Sequence, residues 1–322
     1  MRRPGRRTLA RIALALIVLV AVLWCLGDGS PVGHFASAAD KTHFMAAYDR
    51  AMAALPRPQQ VRDIRTGYGI VRVYRFAGAD DDLPPLLLLP GRAAPTPVWA
   101  DNLPGFLALR SVYTVDLLGE PGLSVQDRPI EGDADQAAWL HEVIAQLPEP
   151  AVHVVGLSIG GWTAMNLAVH RPQKIASLTL IEPVFVFTSM SLQAILRSIP
   201  ASVPWLPRRL RDDFNSWTAG GAPVEHEPVG DMIEAGMATY RLKLPVPALT
   251  DPGKITALRV PTLVILAERS PMHDTAAAAE EARRLLTGGT VRVYAGASHA
   301  ISGEHPAQIA ADVAAHLVRS GR

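Results

Sequence analysis

A serine between two glycines is the residue in this sequence best suited to act as a nucleophile. Ser158 lies in Gly-Leu-Ser-Ile-Gly over 156–160, directly after an apolar run that ends in Val154 and Val155. The run predicts a buried parallel strand, and residues 159–170 predict the helix that follows it. We therefore expect a sharp strand-to-helix turn that exposes the Ser158 hydroxyl. A plain glycine-rich turn is the alternative interpretation.

A nucleophilic serine needs a base, because its hydroxyl reacts weakly at neutral pH unless a neighbouring group takes its proton. His299 is the candidate, since it follows the predicted strand over 290–295 and should reach the carboxyl edge of the sheet, where Ser158 also emerges. A surface loop histidine is the alternative interpretation. Three other histidines occupy positions typical of structural residues: His153 within a strand, His170 at a helix end and His305 before Pro306.

The elements that position these residues alternate along the chain. After a hairpin over 61–77, strands are predicted at 85–90, 111–116, 151–157, 175–182, 261–267 and 290–295. Helices are predicted at 41–55, 98–108, 134–147, 159–170, 275–286 and 306–318. Such alternation predicts an α/β fold with a mostly parallel sheet and helices on both faces.

Residues 184–252 interrupt this alternation after the sixth predicted strand. They are helical and irregular, contain several prolines and lie between two sheet strands, which predicts an inserted helical cap. The first part of the insertion is strongly apolar, from Phe185 to Leu196. These side chains either pack the cap onto the core or form a wall that binds an acyl chain.

The N-terminal segment, residues 1–39, predicts targeting rather than core, and the folded domain is expected over 40–322. Five arginines precede an unbroken apolar run of 15 residues over 12–26. A helix of that length spans about 22 Å, less than the ~30 Å of a bilayer core. A signal peptide, with Ala36-Ser37-Ala38 as its best cleavage site, and an uncleaved membrane anchor both remain open. Either interpretation places the domain outside the cytoplasm, membrane-anchored or secreted.

Composition excludes several classes of protein. Beyond the five N-terminal arginines, 26 basic residues face 30 acidic ones, and no basic stripe interleaved with aromatic residues occurs, which argues against nucleic-acid binding. Cys25 is the sole cysteine, so intramolecular disulfides and cysteine-based metal sites are excluded. No histidine and carboxylate set has metal-ligand spacing such as His-Glu-x-x-His, and we expect neither metal nor cofactor.

Three segments resemble the α/β-hydrolase superfamily, over roughly residues 58–318. Gly-Leu-Ser-Ile-Gly-Gly-Trp over 156–162 resembles its nucleophile elbow, Leu-Pro-Gly-Arg over 89–92 its oxyanion loop, and Gly-Ala-Ser-His over 296–299 the end of its last strand. The segment over 115–124, Val-Asp-Leu-Leu-Gly-Glu-Pro-Gly-Leu-Ser, further resembles capped bacterial hydrolases. The resemblance implies that the backbone N–H groups of Ile159 and Arg92 form an oxyanion hole. Pro90 replaces the usual histidine, which leaves these N–H groups in place.

The resemblance implies a third member, a carboxylate that orients His299 and completes a triad with Ser158, and several residues are candidates for it. Ser270 stands where the family's Gly-Glu-x-Asp pattern has its acid, and a serine cannot stabilise an imidazolium by charge. Asp274 is our first choice, since it lies four residues further on and could turn back to His299. However, Asp274 also precedes the alanine-rich helix from Thr275, where an N-cap aspartate is expected anyway.

Two other carboxylates, and the absence of any acid, remain as alternatives. Glu182 ends the sixth predicted strand, a position from which some relatives supply the acid, and it is our second choice. Glu268 is the third choice. Asp116, at the end of the strand over 111–116, is expected to fix local loops instead.

These features together predict a serine hydrolase that cleaves a small apolar carboxylic ester through an acyl-enzyme. Because this fold supports several reactions, another acyl-transfer or haloperoxidase-type activity is an alternative. A catalytically silent binding protein of the same fold is a second alternative. The intact Ser158 and His299 argue against such a silent protein.

Overall fold

A β-sheet forms the centre of the computed structural model, which describes residues 15, 18, 29–203, 206–224 and 227–320. The strands, in chain order, are β1 His34–Phe35, β2 Gln60–Thr66, β3 Gly69–Phe76, β4 Leu86–Leu89, β5 Val112–Val115, β6 Val125–Gln126, β7 Val152–Leu157, β8 Ile175–Ile181, β9 Tyr240–Arg241, β10 Thr262–Ala267 and β11 Thr290–Tyr294.

The helices complete the α/β alternation that the sequence predicts. They are α1 Ala38–Met52, α2 Leu103–Leu107, α3 Asp133–Ala145, α4 Ile159–His170, α5 Leu192–Ala201, α6 Arg208–Thr218, α7 Pro228–Thr239, α8 Pro252–Ala257, α9 Thr275–Leu285, α10 Ile301–Glu304 and α11 Pro306–Arg319. The region between β8 and β10, predicted as a cap, contains α5 to α8 and the short strand β9.

The main sheet has the strand order β11-β10-β8-β7-β4-β5-β3-β2, and β6 pairs with β3. Strands β4, β5, β7, β8, β10 and β11 pair in parallel, whereas the β2–β3 hairpin joins β5 antiparallel. This arrangement confirms the predicted α/β fold with a mostly parallel sheet. Because β8 lies between β7 and β10, the carboxyl ends of these three strands are direct neighbours.

Strand β4 shows why the sheet is covered on both faces. All four of its residues are leucines with no exposed surface. Leu87 and Leu89 belong to one hydrophobic core, with Trp139 of α3, whereas Leu86 and Leu88 belong to the other, with Phe44 of α1. Successive side chains of a strand point to opposite faces, so an unbroken apolar run needs a core on each side.

The folded domain begins earlier than residue 40, the predicted start. Helix α1 starts at Ala38, and the Ser37 side chain caps it by accepting a hydrogen bond from the Asp40 N–H. Strand β1 pairs antiparallel with β9, and the Phe35 ring lies 5.0 Å from the Tyr240 ring. Residues 34–39, assigned to the targeting segment, are therefore part of the fold.

The helix predicted over 98–108 is broken into a 3₁₀ turn over Thr96–Trp99 and the short helix α2. Pro97 and Pro104 are the second residues of the two pieces, and a proline supplies no N–H for a continuous helix. The predicted apolar segment over 12–26 lies outside the described residues, apart from residues 15 and 18. Within the described part of the chain, every helix is too short or too polar to cross a membrane.

Candidate active site

Ser158 lies at the junction of β7 and α4 in a backbone conformation that few residues adopt. Its φ is 53° and its ψ is −115°, and its N–H donates to the Ile181 carbonyl at 2.9 Å. Two flanking glycines make this turn possible. A Cβ on Gly156 would collide with the Gly160 carbonyl oxygen, and a Cβ on Gly160 would collide with that of Leu89. The Gly-x-Ser-x-Gly spacing is therefore a steric requirement of the turn.

His299 lies within hydrogen-bond distance of the Ser158 hydroxyl, as a general base requires. Its Nε2 is 3.0 Å from Ser158 Oγ, and its Nδ1 is 2.9 Å from Oε2 of Glu182. A proton on Nδ1 donates to the carboxylate and leaves Nε2 free to accept the serine proton. The three side chains form one hydrogen-bonded series that ends in a buried carboxylate.

Glu182 follows directly after β8, and the sheet register explains its position beside Ser158. Leu157 pairs with Ile181, so the next residues of the two strands, Ser158 and Glu182, leave the sheet side by side. Glu182 also has a positive φ of 48°, and its Oε1 accepts a hydrogen bond of 2.6 Å from the Ala267 N–H at the end of β10.

The surroundings of Glu182 keep its carboxylate ionised although its side chain has no exposed surface. Burial alone would raise the pKa of Glu182. The hydrogen bond and charge of His299, the nearby His273 and the Ala267 N–H outweigh burial, so this pKa lies below its usual range. His273 Nε2 lies 3.7 Å from Glu182 Oε1, and its ring is almost fully buried. Glu182 can thus remain negative beside a charged His299.

The structure corrects the first choice of acid. Asp274 is exposed, and its Oδ1 accepts a hydrogen bond of 3.0 Å from the Ala277 N–H, which makes it the N-cap of α9. Its carboxylate is thus committed to the helix end, and Glu182, the second choice, holds the contact with His299. Glu268 accepts a hydrogen bond from the Gly296 N–H at 2.7 Å instead.

The loop after β4 brings Arg92 close to the nucleophile, where the resemblance expects it. A Cβ added to Gly91 would lie 3.8 Å from Ser158 Cβ, and one added to Gly160 would collide with the Pro90 carbonyl oxygen, so this loop packs against the elbow. Ile159 follows Ser158 at the first position of α4. Within the described part of the chain, neither the Arg92 nor the Ile159 N–H donates to another protein group. Both donors are available to an oxyanion at this position.

Contacts that no sequence pattern signals hold the His299 loop in place. The Ser298 N–H and hydroxyl both donate to the carboxylate of Glu304 in α10, the former at 2.8 Å. The His299 N–H donates to the Thr218 carbonyl at the end of α6, at 3.1 Å. The cap region thus contacts the backbone of His299 directly.

Asp116 is buried and holds two loops together. Its Oδ1 accepts a hydrogen bond of 2.9 Å from the Thr96 N–H, and its Oδ2 accepts one of the same length from the Leu123 N–H. The Tyr48 hydroxyl donates to the same carboxylate at 3.0 Å. These partners are those of a loop-fixing residue, as the sequence predicts.

Of the histidines considered structural, His153 has the most extensive contacts. Its Nδ1 lies 2.8 Å from Ser177 Oγ and its Nε2 lies 3.0 Å from Arg110, inside the sheet. His170 Nδ1 lies 3.0 Å from the Asn166 carbonyl oxygen, and the His305 ring packs edge-on against Tyr294.

A cavity of about 230 Å³ opens beside His299, between the end of α6 and the start of α7. Its walls are mostly apolar and include Ala219, Val224, Ile233 and Ala300. An apolar group bound in this cavity would therefore lie directly against the candidate base.

The chain is similar in sequence and in fold to a known carboxylesterase. Over 279 residues, the chain is 24% identical to carboxylesterase YbfK of Bacillus subtilis (strain 168), an alignment that covers 84% of this chain and 92% of the relative. The crystal structure of that enzyme superposes with a TM-score of 0.79 over 87% of this chain and 98% of the other, at 23% identity.

Two further solved structures have the same fold. The naproxen esterase of Bacillus subtilis gives a TM-score of 0.80 at 22% identity, over 87% of this chain and 99% of the other. A membrane phospholipase A gives 0.68 at 19% identity, over 99% of this chain and 100% of the other. Residues 86–312 match the family model described as the alpha/beta hydrolase family. The chain belongs to the alpha/beta hydrolase family.

Proposed function

We propose that this protein is a serine hydrolase that cleaves carboxylic esters through an acyl-enzyme on Ser158. The observation that carries the proposal is the hydrogen-bonded series from Ser158 through His299 to Glu182, with distances of 3.0 and 2.9 Å. The two available backbone N–H groups beside Ser158 support it. The carboxylesterases of Bacillus subtilis among its relatives support the choice of ester substrates.

Acylation begins when His299 Nε2 accepts the Ser158 proton and Oγ attacks the carbonyl carbon of the ester. The carbonyl oxygen becomes an oxyanion, which accepts hydrogen bonds from the N–H groups of Ile159 and Arg92. As the oxyanion re-forms the carbonyl, the bond to the alcohol breaks. His299 Nε2 gives its proton to the departing oxygen, which leaves as the alcohol.

Deacylation repeats these steps with water as the nucleophile. His299 takes a proton from water, the hydroxide attacks the acyl-enzyme, and the second oxyanion collapses to release the acid. Ser158 Oγ recovers its proton from His299. In both halves Glu182 holds the Nδ1 proton of His299 and stabilises the imidazolium, and it remains ionised throughout.

The proposed substrate is a small ester with an apolar portion. The cavity beside His299 supports this proposal, because its walls are mostly apolar and the candidate base forms part of them. A departing alcohol must lie against His299 to receive its proton, so this cavity is suited to an apolar alcohol group.

Hydrolysis of p-nitrophenyl esters by the full-length protein tests the proposed activity. The wild type should hydrolyse short-chain esters and react with a fluorophosphonate probe, and Ser158→Ala should lose both properties. Full activity in Ser158→Ala would contradict the proposal. A catalytically silent binding protein would give neither hydrolysis nor labelling in the wild type.

We also propose that the domain lies outside the cytoplasm and remains tethered by its N-terminal segment. The five arginines before the apolar run support this orientation. Two observations favour a tether over a cleaved signal. First, cleavage after Ala38 would remove β1 and the Ser37 cap of α1, which are both part of the fold. Second, one structural relative is a membrane phospholipase A.

Protease treatment of intact spheroplasts tests this topology. Digestion of the domain from outside, with the full-length mass recovered from membranes of untreated cells, is the expected result. A domain that resists external protease and fractionates with the cytosol would refute export, and a mass that lacks the N-terminal segment would refute the tether.

A further inference from the structure

Glu120 is a second buried carboxylate near Ser158, and the steps described above do not use it. It lies in the segment after β5 that resembles capped bacterial hydrolases, and only 4% of its surface is exposed. Burying a carboxylate costs several kcal/mol unless good partners compensate. Its partners therefore indicate what the residue does.

Both oxygens of Glu120 contact the loop that follows β4. Oε2 accepts a hydrogen bond of 3.2 Å from the Ala93 N–H, and Oε1 lies 3.2 Å from Nη1 of Arg92. Burial raises the pKa of Glu120, and the Arg92 guanidinium and the Ala93 N–H oppose this rise. The carboxylate thus holds two successive residues of the same loop.

The conformation of this loop needs external support. Ala93 has a φ of 55°, in the left-handed region that costs a non-glycine residue about 1–2 kcal/mol. The hydrogen bond from its N–H to Glu120 supplies such support. An ion pair of this kind is weak as a general stabiliser, but it can select one backbone arrangement among several.

Glu120 holds Arg92 on two sides of its Cα. One contact is through the guanidinium, and the other is through the peptide unit that joins Arg92 to Ala93. The remaining polar group at this position is the Arg92 N–H, which follows Gly91, a residue whose added Cβ would lie 3.8 Å from Ser158 Cβ. Fixing the residue on both sides leaves this N–H in one orientation beside the nucleophile.

We propose that Glu120 is a positioning residue for the oxyanion hole, which holds the loop over 91–93 so that the Arg92 N–H points at the developing oxyanion. This inference rests on the proposed function and assigns a role to a residue outside the triad. Glu120 contacts no reacting atom, and its effect should appear in the transition state rather than in substrate binding.

Two substitutions of similar size separate hydrogen bonding from packing. Glu120→Leu removes both contacts, whereas Glu120→Gln keeps an oxygen that can accept from the Ala93 N–H. With p-nitrophenyl acetate, the leucine variant should lower kcat by about 10² and leave KM within about threefold, as for a misplaced oxyanion donor. The glutamine variant should lower kcat by about tenfold, because one contact survives.

A trifluoromethyl ketone forms an adduct with Ser158 that carries an oxyanion, so its affinity reports on the oxyanion hole. If Glu120 had a merely structural role, its substitution would leave this affinity unchanged. The affinity should weaken by the same factor as kcat in each variant. Glu234→Gln is the matched control, because Glu234 is a similarly buried glutamate that pairs with Arg211 at 2.8 Å between α6 and α7. The control should stay within about threefold of wild type in kcat and ketone affinity.

Folded Glu120 variants that keep kcat and ketone affinity within about threefold of wild type would overturn the inference. If the leucine variant does not fold, the glutamine variant decides by the same criterion. Rates of fluorophosphonate labelling separate this inference from the proposed function. The phosphoryl oxygen of the probe enters the same oxyanion hole, but the reaction cleaves no carboxylic ester. If the probe labels the wild type but the wild type cleaves no carboxylic ester, ester hydrolysis is refuted. Comparing the labelling rates of the wild type and the Glu120 variants would still test the positioning role of Glu120.

Discussion

Oε2 of Glu182 lies 2.9 Å from Nδ1 of His299, although 117 residues separate the two in sequence. The contact arises because Glu182 follows β8, the strand that lies beside β7, which Ser158 follows. A carboxylate at this position is buried and already bound by the Ala267 N–H, so its orientation does not depend on an exposed loop. This relationship makes the identity of the acid directly testable.

Glu182→Gln should lower kcat by up to about 10⁴ with the fold intact, because the amide neither stabilises the imidazolium nor favours the correct tautomer. Kinetics with p-nitrophenyl acetate measure the loss, and circular dichroism checks the fold. Asp274→Asn is the matched control and should leave kcat near wild type, since Asp274 caps α9. Loss of activity in Asp274→Asn with a fully active Glu182→Gln would restore the first choice from sequence.

Gly160→Ala should destabilise the protein by about 3 kcal/mol or more, since the new Cβ would overlap the backbone oxygens of Leu89 and Pro90 at the end of β4, which cannot move independently. Urea unfolding measures the loss. Gly132→Ala serves as the control, because its Cβ would meet nothing within 4 Å and its φ is extended. The control should cost less than about 1 kcal/mol. Equal stability of the two variants would contradict the steric account of the elbow.

Local patterns predicted the nucleophile and the base, whereas the acid and the loop support required tertiary information. Gly-x-Ser-x-Gly after an apolar run specifies its turn through steric constraints among near neighbours, so Ser158 was identifiable. Local patterns do not show which of Glu182 and Asp274 is the acid. Both follow strands, and only the pairing of Leu157 with Ile181 shows that Glu182 emerges beside Ser158.

Other features had no recognisable signal along the chain. The contact of Glu120 with Ala93 spans 27 residues and depends on how two loops meet. The hydrogen bond from the His299 N–H to Thr218 joins the catalytic loop to the cap region. The start of the domain was placed too late because β1 has two residues and its partner β9 is more than 200 residues away along the chain.

His273→Leu should reduce the loss of stability that occurs as the pH falls below about 6.5, the usual histidine pKa. Burial lowers the pKa of His273 in the folded protein, and the charge of Glu182 offsets this only in part. Below that pH, His273 therefore binds a proton more readily in the unfolded chain than in the folded protein. Unfolding becomes more favourable as a result. The effect is at most about 1.4 kcal/mol per pH unit and is absent at higher pH.

Urea unfolding at pH 7.5 and 5.5 measures this effect, as the difference between the two free energies of unfolding. His316 also has a pKa lowered by burial, but it is present in both proteins, so the comparison isolates His273. An identical pH dependence in wild type and His273→Leu would contradict the prediction.

Removing residues 1–39 should cost about 2 kcal/mol or more relative to removing residues 1–28. The longer deletion eliminates β1, the Phe35 ring contacts and the Ser37 cap of α1, whereas the shorter one leaves them in place. Thermal unfolding of the two proteins provides the comparison. Equal melting temperatures would mean that β1 adds nothing to the stability of the domain.

The position of the acid directly after β8 has a practical consequence for protein engineering. In a hydrolase whose acid lies in the loop after β10, any redesign of that loop must keep the acidic side chain. Here the contribution of β10 to Glu182 is the backbone N–H of Ala267, which every residue except proline provides. Within the described part of the chain, the side chains at positions 269 and 270 hydrogen-bond to neither His299 nor Glu182, so substitutions there should leave the hydrogen bonds that join Ser158, His299 and Glu182 in place.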